Sequence, residues 1–261
     1  MRFDERLSLR IKNINSHLCV GLDPREELIK GDILKFLIKV VAQTNEFAAC
    51  YKPNIAYYEA LGIAGYEILY QLIKEIPKDI PVILDVKRGD IPQTQRYYAK
   101  AYFERLNVDA VTLNPYLGRD SIEPFLNYEG KGVYLLGITS NRSARDIQML
   151  KVSNKVKSDR RVFDYVIEML RLLENSKTGI GLVIGATNIN QELIKKIPDV
   201  PLLVPGIGSQ AGELKPVSKL IKKMESPVVI NVSRSILFSD DELSFKQRAK
   251  KYRELINDAI K

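Results

Sequence analysis

The chain has 261 residues, 45% of them hydrophobic, which suits one large domain expected to span residues 1–261. It has no apolar run long enough to cross a membrane, and Cys19 and Cys50 lie in apolar strand-like runs, as expected for buried thiols in a reducing cytoplasm. The single histidine, His17, argues against His-based catalytic triads and His-rich metal sites.

The net charge of +8 is spread along predicted helices that also carry Glu and Asp. The densest basic run, residues 151–161, lacks aromatic interleaving, so a solvated face or a loop that attracts a small anion is favoured over nucleic-acid binding.

A short helix predicted over residues 2–14 precedes a regular alternation of apolar strands and helices. The strands are predicted at residues 18–23, 47–52, 82–87, 110–114, 132–139, 180–185, 202–205 and 228–232. The helices that follow them are predicted at residues 33–44, 58–76, 94–106, 121–127, 163–175, 191–197, 217–224 and 245–260. Residues 141–157 read as a long polar loop, either a lid or a solvated insertion.

The strand composition favours a parallel α/β architecture. The strands are short, uncharged and rich in β-branched residues, as in parallel sheets that helices cover on both faces. Eight βα units in roughly 250 residues match a TIM (β/α)8 barrel. An open doubly wound sheet is the alternative, but such sheets rarely reach eight regular units.

Polar residues of types that serve in catalysis and binding collect at the predicted strand ends, whereas the strand bodies are almost free of charge. The strand-end residues are Asp23; Lys52 and Asn54; Asp85, Lys87 and Asp90; Asn114; Thr139 and Ser140; Gly206 to Gln210; and Ser233 with Arg234. In a TIM barrel the active site is built from the C-terminal strand ends. We therefore expect these side chains to converge.

The third strand carries the densest charge. Asp85 and Lys87 are two residues apart and share one face of a strand, and charges at the end of an apolar strand need partners. On this segment alone a salt-bridged strand end and a catalytic site both remain open. The other polar strand ends favour the catalytic interpretation. Asp and Lys in alternation, without His or Cys, suit a lysine held protonated by flanking carboxylates and acting as a general acid.

The seventh and eighth strand ends suggest an anion site. Residues 206–210 contain Gly-Ile-Gly-Ser-Gln, and Arg234 follows the next strand, where TIM barrels commonly hold a phosphate. Glycine lets backbone N–H groups approach an anion, and arginine binds it through two N–H groups. A Gly-x-Gly alone also fits an ordinary turn, so the phosphate interpretation depends on its pairing with Arg234.

The motif Asp85-Val-Lys87-Arg-Gly-Asp90-Ile91 resembles the Asp-x-Lys-x-x-Asp signature of the orotidine 5′-phosphate decarboxylase family, in the form of its type 2 subgroup. Seven further segments agree in chain order: Cys19-Val-Gly-Leu-Asp23-Pro, Tyr51-Lys52-Pro-Asn54, Val111-Thr-Leu-Asn-Pro-Tyr-Leu-Gly118, Thr139-Ser140-Asn141, Gly181-Leu-Val-Ile-Gly-Ala-Thr187, Pro205-Gly-Ile-Gly-Ser-Gln210 and Asn231-Val-Ser-Arg234-Ser-Ile. The resemblance runs from residue 18 to 237. Pro92-Gln93 departs from the smaller residues expected there, although Thr94 keeps its place.

The resemblance implies decarboxylation of orotidine 5′-monophosphate to UMP and CO2 in de novo pyrimidine biosynthesis, without metal or organic cofactor. It implies a charged network of Lys52, Asp85, Lys87 and Asp90, with Lys87 donating a proton to C6 of the pyrimidine. It also implies a homodimer in which Asp90, Ile91 and Thr94 reach the partner's site. The resemblance further implies that Asp23 and Asn54 contact the ribose and that Thr139 and Ser140 contact the pyrimidine edge. The residues implied at the phosphate side are Pro205, Gln210, Ser233 and Arg234, with Gln210 bridging phosphate and base.

Two alternatives remain at this point. Related sugar-phosphate enzymes, such as ketogulonate-phosphate decarboxylase and hexulose-phosphate synthase, share the Asp-x-Lys-x-x-Asp motif but use magnesium; Lys52-Pro-Asn54 and Thr139-Ser140 favour a pyrimidine substrate instead. A non-catalytic nucleic-acid binder would have no use for the strand-end aspartates. We therefore expect neither nucleic acid nor membrane as a partner. A fused orotate phosphoribosyltransferase is not expected, because one barrel accounts for the length.

Overall fold

The computed structural model describes residues 1–154, 157–173, 176–206 and 214–261. Its strands are β1 (Leu18–Gly21), β2 (Cys50–Lys52), β3 (Ile83–Arg88), β4 (Ala110–Leu113), β5 (Gly132–Ile138), β6 (Lys151–Asn154), β7 (Lys157–Arg161), β8 (Gly179–Ile184), β9 (Leu202–Val204) and β10 (Val228–Val232). Its helices are α1 (Phe3–Ile14), α2 (Ile33–Thr44), α3 (Ile55–Glu59), α4 (Ile63–Glu75), α5 (Pro92–Ala99), α6 (Val162–Leu172), α7 (Gln191–Lys196), α8 (Leu214–Lys223), α9 (Arg234–Leu237) and α10 (Phe245–Ile260).

Eight strands form one parallel sheet in the order β2-β1-β10-β9-β8-β5-β4-β3. The two edge strands meet through isolated bridges, Tyr51 with Val82 and Asn54 with Asp85. The N–H of Tyr51 donates to Pro81 O at 3.0 Å, and the N–H of Asp85 donates to Pro53 O at 2.9 Å. The sheet therefore closes on itself, and the predicted TIM barrel is confirmed.

Side chains alternate between the barrel interior and the helical layer, as the pleat of a strand requires. The interior cluster comprises Cys19, Cys50, Ile83, Ala110, Tyr134, Val183, Leu203 and Val229, together with Phe3 and Leu7 of α1. The Phe3 and Tyr134 rings meet edge to face, with centroids 6.0 Å apart. Helix α1 thus closes the N-terminal end of the barrel and leaves the C-terminal end for a site. Both cysteines are free and buried, as predicted.

Helices α2, α7 and α10 begin at side-chain caps that the sequence encodes. Asp32 accepts from Lys35 N at 3.0 Å, Asn190 from Leu193 N at 2.9 Å, and Ser244 from Gln247 N at 3.3 Å. Helix α10 returns to pack on α2 and α8. Across the part of the chain described here, none of the helices combines the length and apolar character that crossing a bilayer requires.

Three predicted helices differ from the structure. The single helix predicted over 58–76 is divided into α3 and α4 at Gly62, whose φ of 66° lies in the left-handed region. The helix predicted over 121–127 is reduced to short 3-10 turns, because Pro124 cannot donate a backbone hydrogen bond. The helix predicted over 94–106 begins earlier, at Pro92, and its last turn, Lys100–Arg105, is a π-helix.

The long loop predicted over 141–157 is wrong in part. It contains a 3-10 turn at Arg142–Asp146, and its end forms an antiparallel hairpin of β6 and β7, with Val152 opposite Arg160. A pattern search misses the hairpin because β6 contains one apolar residue, Val152, and β7 contains none, so neither strand shows apolar alternation.

Candidate active site

Lys52, Asp85 and Lys87 form one ion-pair network at the C-terminal ends of β2 and β3. Lys52 Nζ lies 3.1 Å from Asp85 Oδ2, and Lys87 Nζ lies 2.7 Å from Asp85 Oδ1. The Lys52 and Asp85 side chains are 5% and 11% exposed, whereas that of Lys87 is 47% exposed. The carboxylate therefore joins one buried ammonium to a second one that faces the mouth of the barrel.

The buried members of this network are held in their charged forms. Burial alone would raise the pKa of Asp85, but the positive charges of Lys52 and Lys87 hold that pKa well below its usual range. Burial alone would lower the pKa of Lys52, but the carboxylates of Asp85 and Asp23 raise it above its ordinary value. Asp85 consequently carries a negative charge, and Lys52 a positive one, throughout the neutral range.

The residues predicted to address a ribose lie beside this network. Asp23 follows β1, and its Oδ1 accepts a hydrogen bond from the backbone N–H of Asn54 at 3.1 Å. Asn54 caps α3 through Ala56 N at 3.2 Å and is bridged to Asp85 in the sheet. The ends of β1, β2 and β3 thus present polar groups to the same opening.

Thr139 and Ser140 follow β5 on the other side of the barrel mouth. The side chain of Gln148 hydrogen-bonds to Thr139. Its Oε1 accepts from Thr139 N at 2.9 Å, and its Nε2 donates to Thr139 Oγ1 at 2.9 Å. Asn188 Nδ2 donates to Thr139 O at 2.6 Å. These hydrogen bonds fix Thr139 in place, whereas the neighbouring Ser140 is exposed and lines a cavity of about 580 Å³.

Close packing against Gly185 fixes the backbone of Ser140. A Cβ atom on Gly185 would lie 2.5 Å from Ser140 N and 2.7 Å from Ser140 Cα. Only glycine leaves room for this approach, so the position of Ser140 depends on the end of β8.

The predicted phosphate residues are partly described. Among the described residues, the Oγ of Ser233 is buried without a hydrogen-bond partner, and the exposed side chain of Arg234, at the start of α9, pairs with none of them. Pro205 follows β9, and its carbonyl accepts from Ala186 N at 3.2 Å. Gln210 lies outside the described residues, as does the rest of the predicted glycine segment after Gly206. Ser233 and Arg234 thus remain available to an anion.

Comparison with known proteins decides the family. The model of the Orotidine 5'-phosphate decarboxylase / HUMPS family matches residues 16–249. The chain belongs to this family. A relative from Dehalococcoides mccartyi, named orotidine 5'-phosphate decarboxylase, is 41% identical over 267 residues, which cover 100% of this chain and 97% of the relative. A relative of the same name from Herpetosiphon aurantiacus is 41% identical over 245 residues, covering 90% of this chain and 89% of the relative.

A solved structure agrees with this assignment. The Leishmania donovani OMP decarboxylase superposes with a TM-score of 0.83 at 36% identity, covering 100% of this chain and 99% of that one. The resemblance of the Asp85 motif to the orotidine 5′-phosphate decarboxylase family is therefore confirmed over nearly the whole chain.

Asp90 and Ile91 end the family motif, Thr94 follows it, and none of the three forms a hydrogen bond or ion pair with the network of their own chain within the described residues. Asp90 Oδ1 accepts from Ile91 N at 2.7 Å, and no contact joins Asp90 to Lys52, Asp85 or Lys87 within the described residues. Ile91 is exposed, and Thr94 lies in the first turn of α5. One chain thus brings together three of the four predicted network residues.

Three site residues escaped the sequence prediction. Thr112 of β4 donates its hydroxyl to Asp85 Oδ1 at 2.8 Å, and Gln148 and Asn188 fix Thr139. Thr112 lies inside a strand, not after it, and the other two lie in connections without regular period. Nothing in the described part of the chain groups three or more His, Cys, Asp or Glu side chains so that they could hold a metal ion.

Proposed function

We propose that this chain decarboxylates orotidine 5′-monophosphate to UMP and CO2 in pyrimidine biosynthesis. The observation that carries the proposal is the Lys52–Asp85–Lys87 network at the open end of the barrel. It occurs in a chain that is 41% identical over its full length to a protein named orotidine 5'-phosphate decarboxylase.

Lys87 is the proposed proton donor. When the bond between C6 and the carboxylate breaks, its electron pair stays on C6, and a cation already in place stabilises that charge as it develops. Lys87 is half exposed at the barrel mouth, so its ammonium can reach the substrate. Transfer of an Nζ proton to C6 forms the new C–H bond, and Lys87 regains a proton from solvent. Asp85, beside the departing carboxylate, adds repulsion in the bound substrate.

The remaining strand ends would bind the nucleotide. Asp23 and Asn54 address the ribose, and Ser140, anchored through Thr139, reads the pyrimidine edge. Ser233 and Arg234, with Pro205 and Gln210, form the phosphate side. Within the described part of the chain, the Ser233 hydroxyl and the Arg234 guanidinium have no partner, which supports this role because a phosphate offers acceptors to both. Binding energy from the phosphate would then favour the reactive arrangement at the distant C6.

We further propose that two copies of the chain form a dimer with shared sites, in the cytoplasm. Asp90, Ile91 and Thr94 would complete the site of the partner. The support is that Asp90 forms no hydrogen bond or ion pair with its own network, and that the large side chains of Ile91, of Tyr97 in α5 and of Tyr116 after β4 are exposed. The two free, buried cysteines agree with a reducing compartment.

The test is the ultraviolet absorbance change when orotidine 5′-monophosphate is added to purified protein in the presence of EDTA. We expect rapid conversion to UMP that the chelator does not affect. Lys87→Ala should reduce turnover by several orders of magnitude while UMP still binds, and Lys78→Ala, an exposed lysine outside the site, serves as the matched control. Magnesium-dependent turnover of a sugar phosphate, with none of the nucleotide, would instead assign the chain to the sugar-phosphate branch.

A further inference from the structure

The pairing of β3 with β4 is irregular at the catalytic residues. Leu84 pairs with Val111 and Arg88 pairs with Leu113, so three residues of β3, Asp85 to Lys87, face the single residue Thr112. Such a bulge deprives the extra residues of carbonyl partners on the neighbouring strand. The Asp85 N–H bonds Pro53 O across the seam, and the N–H groups of Val86 and Lys87 need another acceptor.

The side chain of Thr112 provides that acceptor. Its Oγ1 accepts from Val86 N at 3.0 Å and from Lys87 N at 2.9 Å, and it donates its one proton to Asp85 Oδ1 at 2.8 Å. Thr112 is 1% exposed, so water does not compete for these bonds. One hydroxyl thus uses its complete capacity of one donor and two acceptors on three consecutive residues of β3.

Lys87 has a backbone conformation that needs such support. Its φ is +47°, in the left-handed region that a side chain other than glycine rarely adopts. Residues persist there only when the surrounding structure holds them. The turn directs the ammonium of Lys87 back to Asp85 Oδ1, the same oxygen that receives the Thr112 proton, and leaves Oδ2 to Lys52.

We propose that Thr112 is a positioning residue for the decarboxylation. Its hydroxyl holds the left-handed turn at Lys87 and the orientation of the Asp85 carboxylate, and thereby places the proton donor against the substrate. The expected effect on kcat rests on the proposed function. The hold of Thr112 on the Lys87 turn does not depend on that function.

Three variants separate positioning from mere stability. Thr112→Val keeps the shape and removes the hydroxyl, and Thr112→Ser restores the hydroxyl without the methyl group. Thr178→Val is the matched control: Thr178 is also buried, its hydroxyl contacts Phe125 O at 3.0 Å and Tyr128 O at 2.9 Å, and it lies before β8 at the other end of the barrel. Each variant is assayed well below its own melting temperature.

We expect Thr112→Val to lower kcat by roughly 100-fold, the cost of a misplaced catalytic group, with KM nearly unchanged. Thr112→Ser should recover most of the lost kcat. Thr178→Val should lower the melting temperature and leave kcat at the wild-type value. If Thr112→Val and Thr178→Val have the same kcat, the positioning role is overturned.

A second measurement does not need the reaction. By NMR, the amide protons of Val86 and Lys87 should exchange with solvent at least tenfold faster in Thr112→Val than in wild type or in Thr112→Ser, because they lose their acceptor. If wild type fails to convert the nucleotide but this contrast is seen, the proposed function falls and the control of the Lys87 turn by Thr112 stands. Equal exchange rates in all three proteins would overturn that control.

Discussion

Lys52 and Asp85 form a buried ion pair of 3.1 Å across the seam at which the barrel closes. Elsewhere in the barrel neighbouring strands pair through ladders, which bulges interrupt between β3 and β4 and between β5 and β8, but β2 and β3 meet through isolated bridges at Tyr51–Val82 and Asn54–Asp85. A side-chain pair therefore reinforces the seam where the backbone contributes least.

Removal of the Lys52 ammonium should destabilise the fold. Lys52→Met leaves Asp85 buried with only the half-exposed Lys87 and Thr112 as partners, and breaking a buried pair typically costs about 3 kcal/mol or more. We expect this decrease in the free energy of unfolding by urea at neutral pH. Lys246→Met, which breaks the exposed pair with Glu46, is the control and should cost far less. Equal losses in the two variants would contradict a structural role for the Lys52–Asp85 pair.

The same pair should give stability a defined pH dependence. The pKa of Asp85 is lowered by folding, so its contribution is complete above the unfolded value of about 4 and is lost as pH falls through the lower folded value. The pKa of Lys52 is raised, so its contribution is complete below the unfolded value of about 10 and is lost as pH rises through the folded value. The stability difference between wild type and Lys52→Met should therefore be complete across the neutral range and shrink at strongly acidic and strongly basic pH. Urea unfolding across the pH range measures it, and a difference that grows below pH 4 would refute the assignment.

Two inactive variants should complement each other if the sites are shared. In a mixed dimer of Lys87→Ala and Asp90→Ala chains, one site lacks both residues and the other has both. After unfolding and refolding an equal mixture, we expect roughly a quarter of wild-type activity, from the statistics of a two-fold dimer. Lys87→Ala mixed with Lys52→Met is the control, because both residues act within one chain and no site is repaired. No recovery in the first mixture would exclude the exchange of Asp90.

Gly185→Ala should weaken recognition of the base without touching the charged network. The new methyl group would collide with Ser140 N and Cα and displace the backbone that presents the Ser140 side chain. We expect a several-fold rise in KM for the nucleotide with a smaller change in kcat. Gly179→Ala is the matched control, because its Cβ would lie 3.3 Å from the Asp4 side chain and 3.8 Å from Lys131 O, at the closed end of the barrel, with no closer contact. An unchanged KM in Gly185→Ala would count against Ser140 as a base contact.

Most of the barrel could be predicted from the sequence because strand interior and strand end differ in composition. Apart from Asn231, the run Val228–Val232 is apolar and β-branched, and the polar residues Ser233 and Arg234 follow at once. The same regularity located Asp23, Lys52 and Asp85 at one end of the barrel. Gln210 stays a prediction, because it lies outside the described residues.

The rest depends on relationships that a linear pattern does not contain. In the sequence, Thr112 is one more β-branched strand residue. Its role becomes visible only when β3 and β4 are paired, because three residues of β3 then lie opposite Thr112 alone. Gln148 follows the 3-10 turn at Arg142–Asp146, and its side chain hydrogen-bonds back to Thr139. The division of the predicted helix at Gly62 is a case of a local backbone preference that outweighs helical periodicity.

The seam also constrains how this enzyme family can change. Asp85 pairs with Lys52 across the β2–β3 seam and is also the carboxylate proposed to lie beside the substrate, so any replacement must serve both the closure of the barrel and the proposed chemistry. Lys87 lies at the mouth of the barrel, and its side chain pairs with Asp85 of its own strand, not across the seam. New reactions on this scaffold are therefore more accessible through position 87 than through position 85.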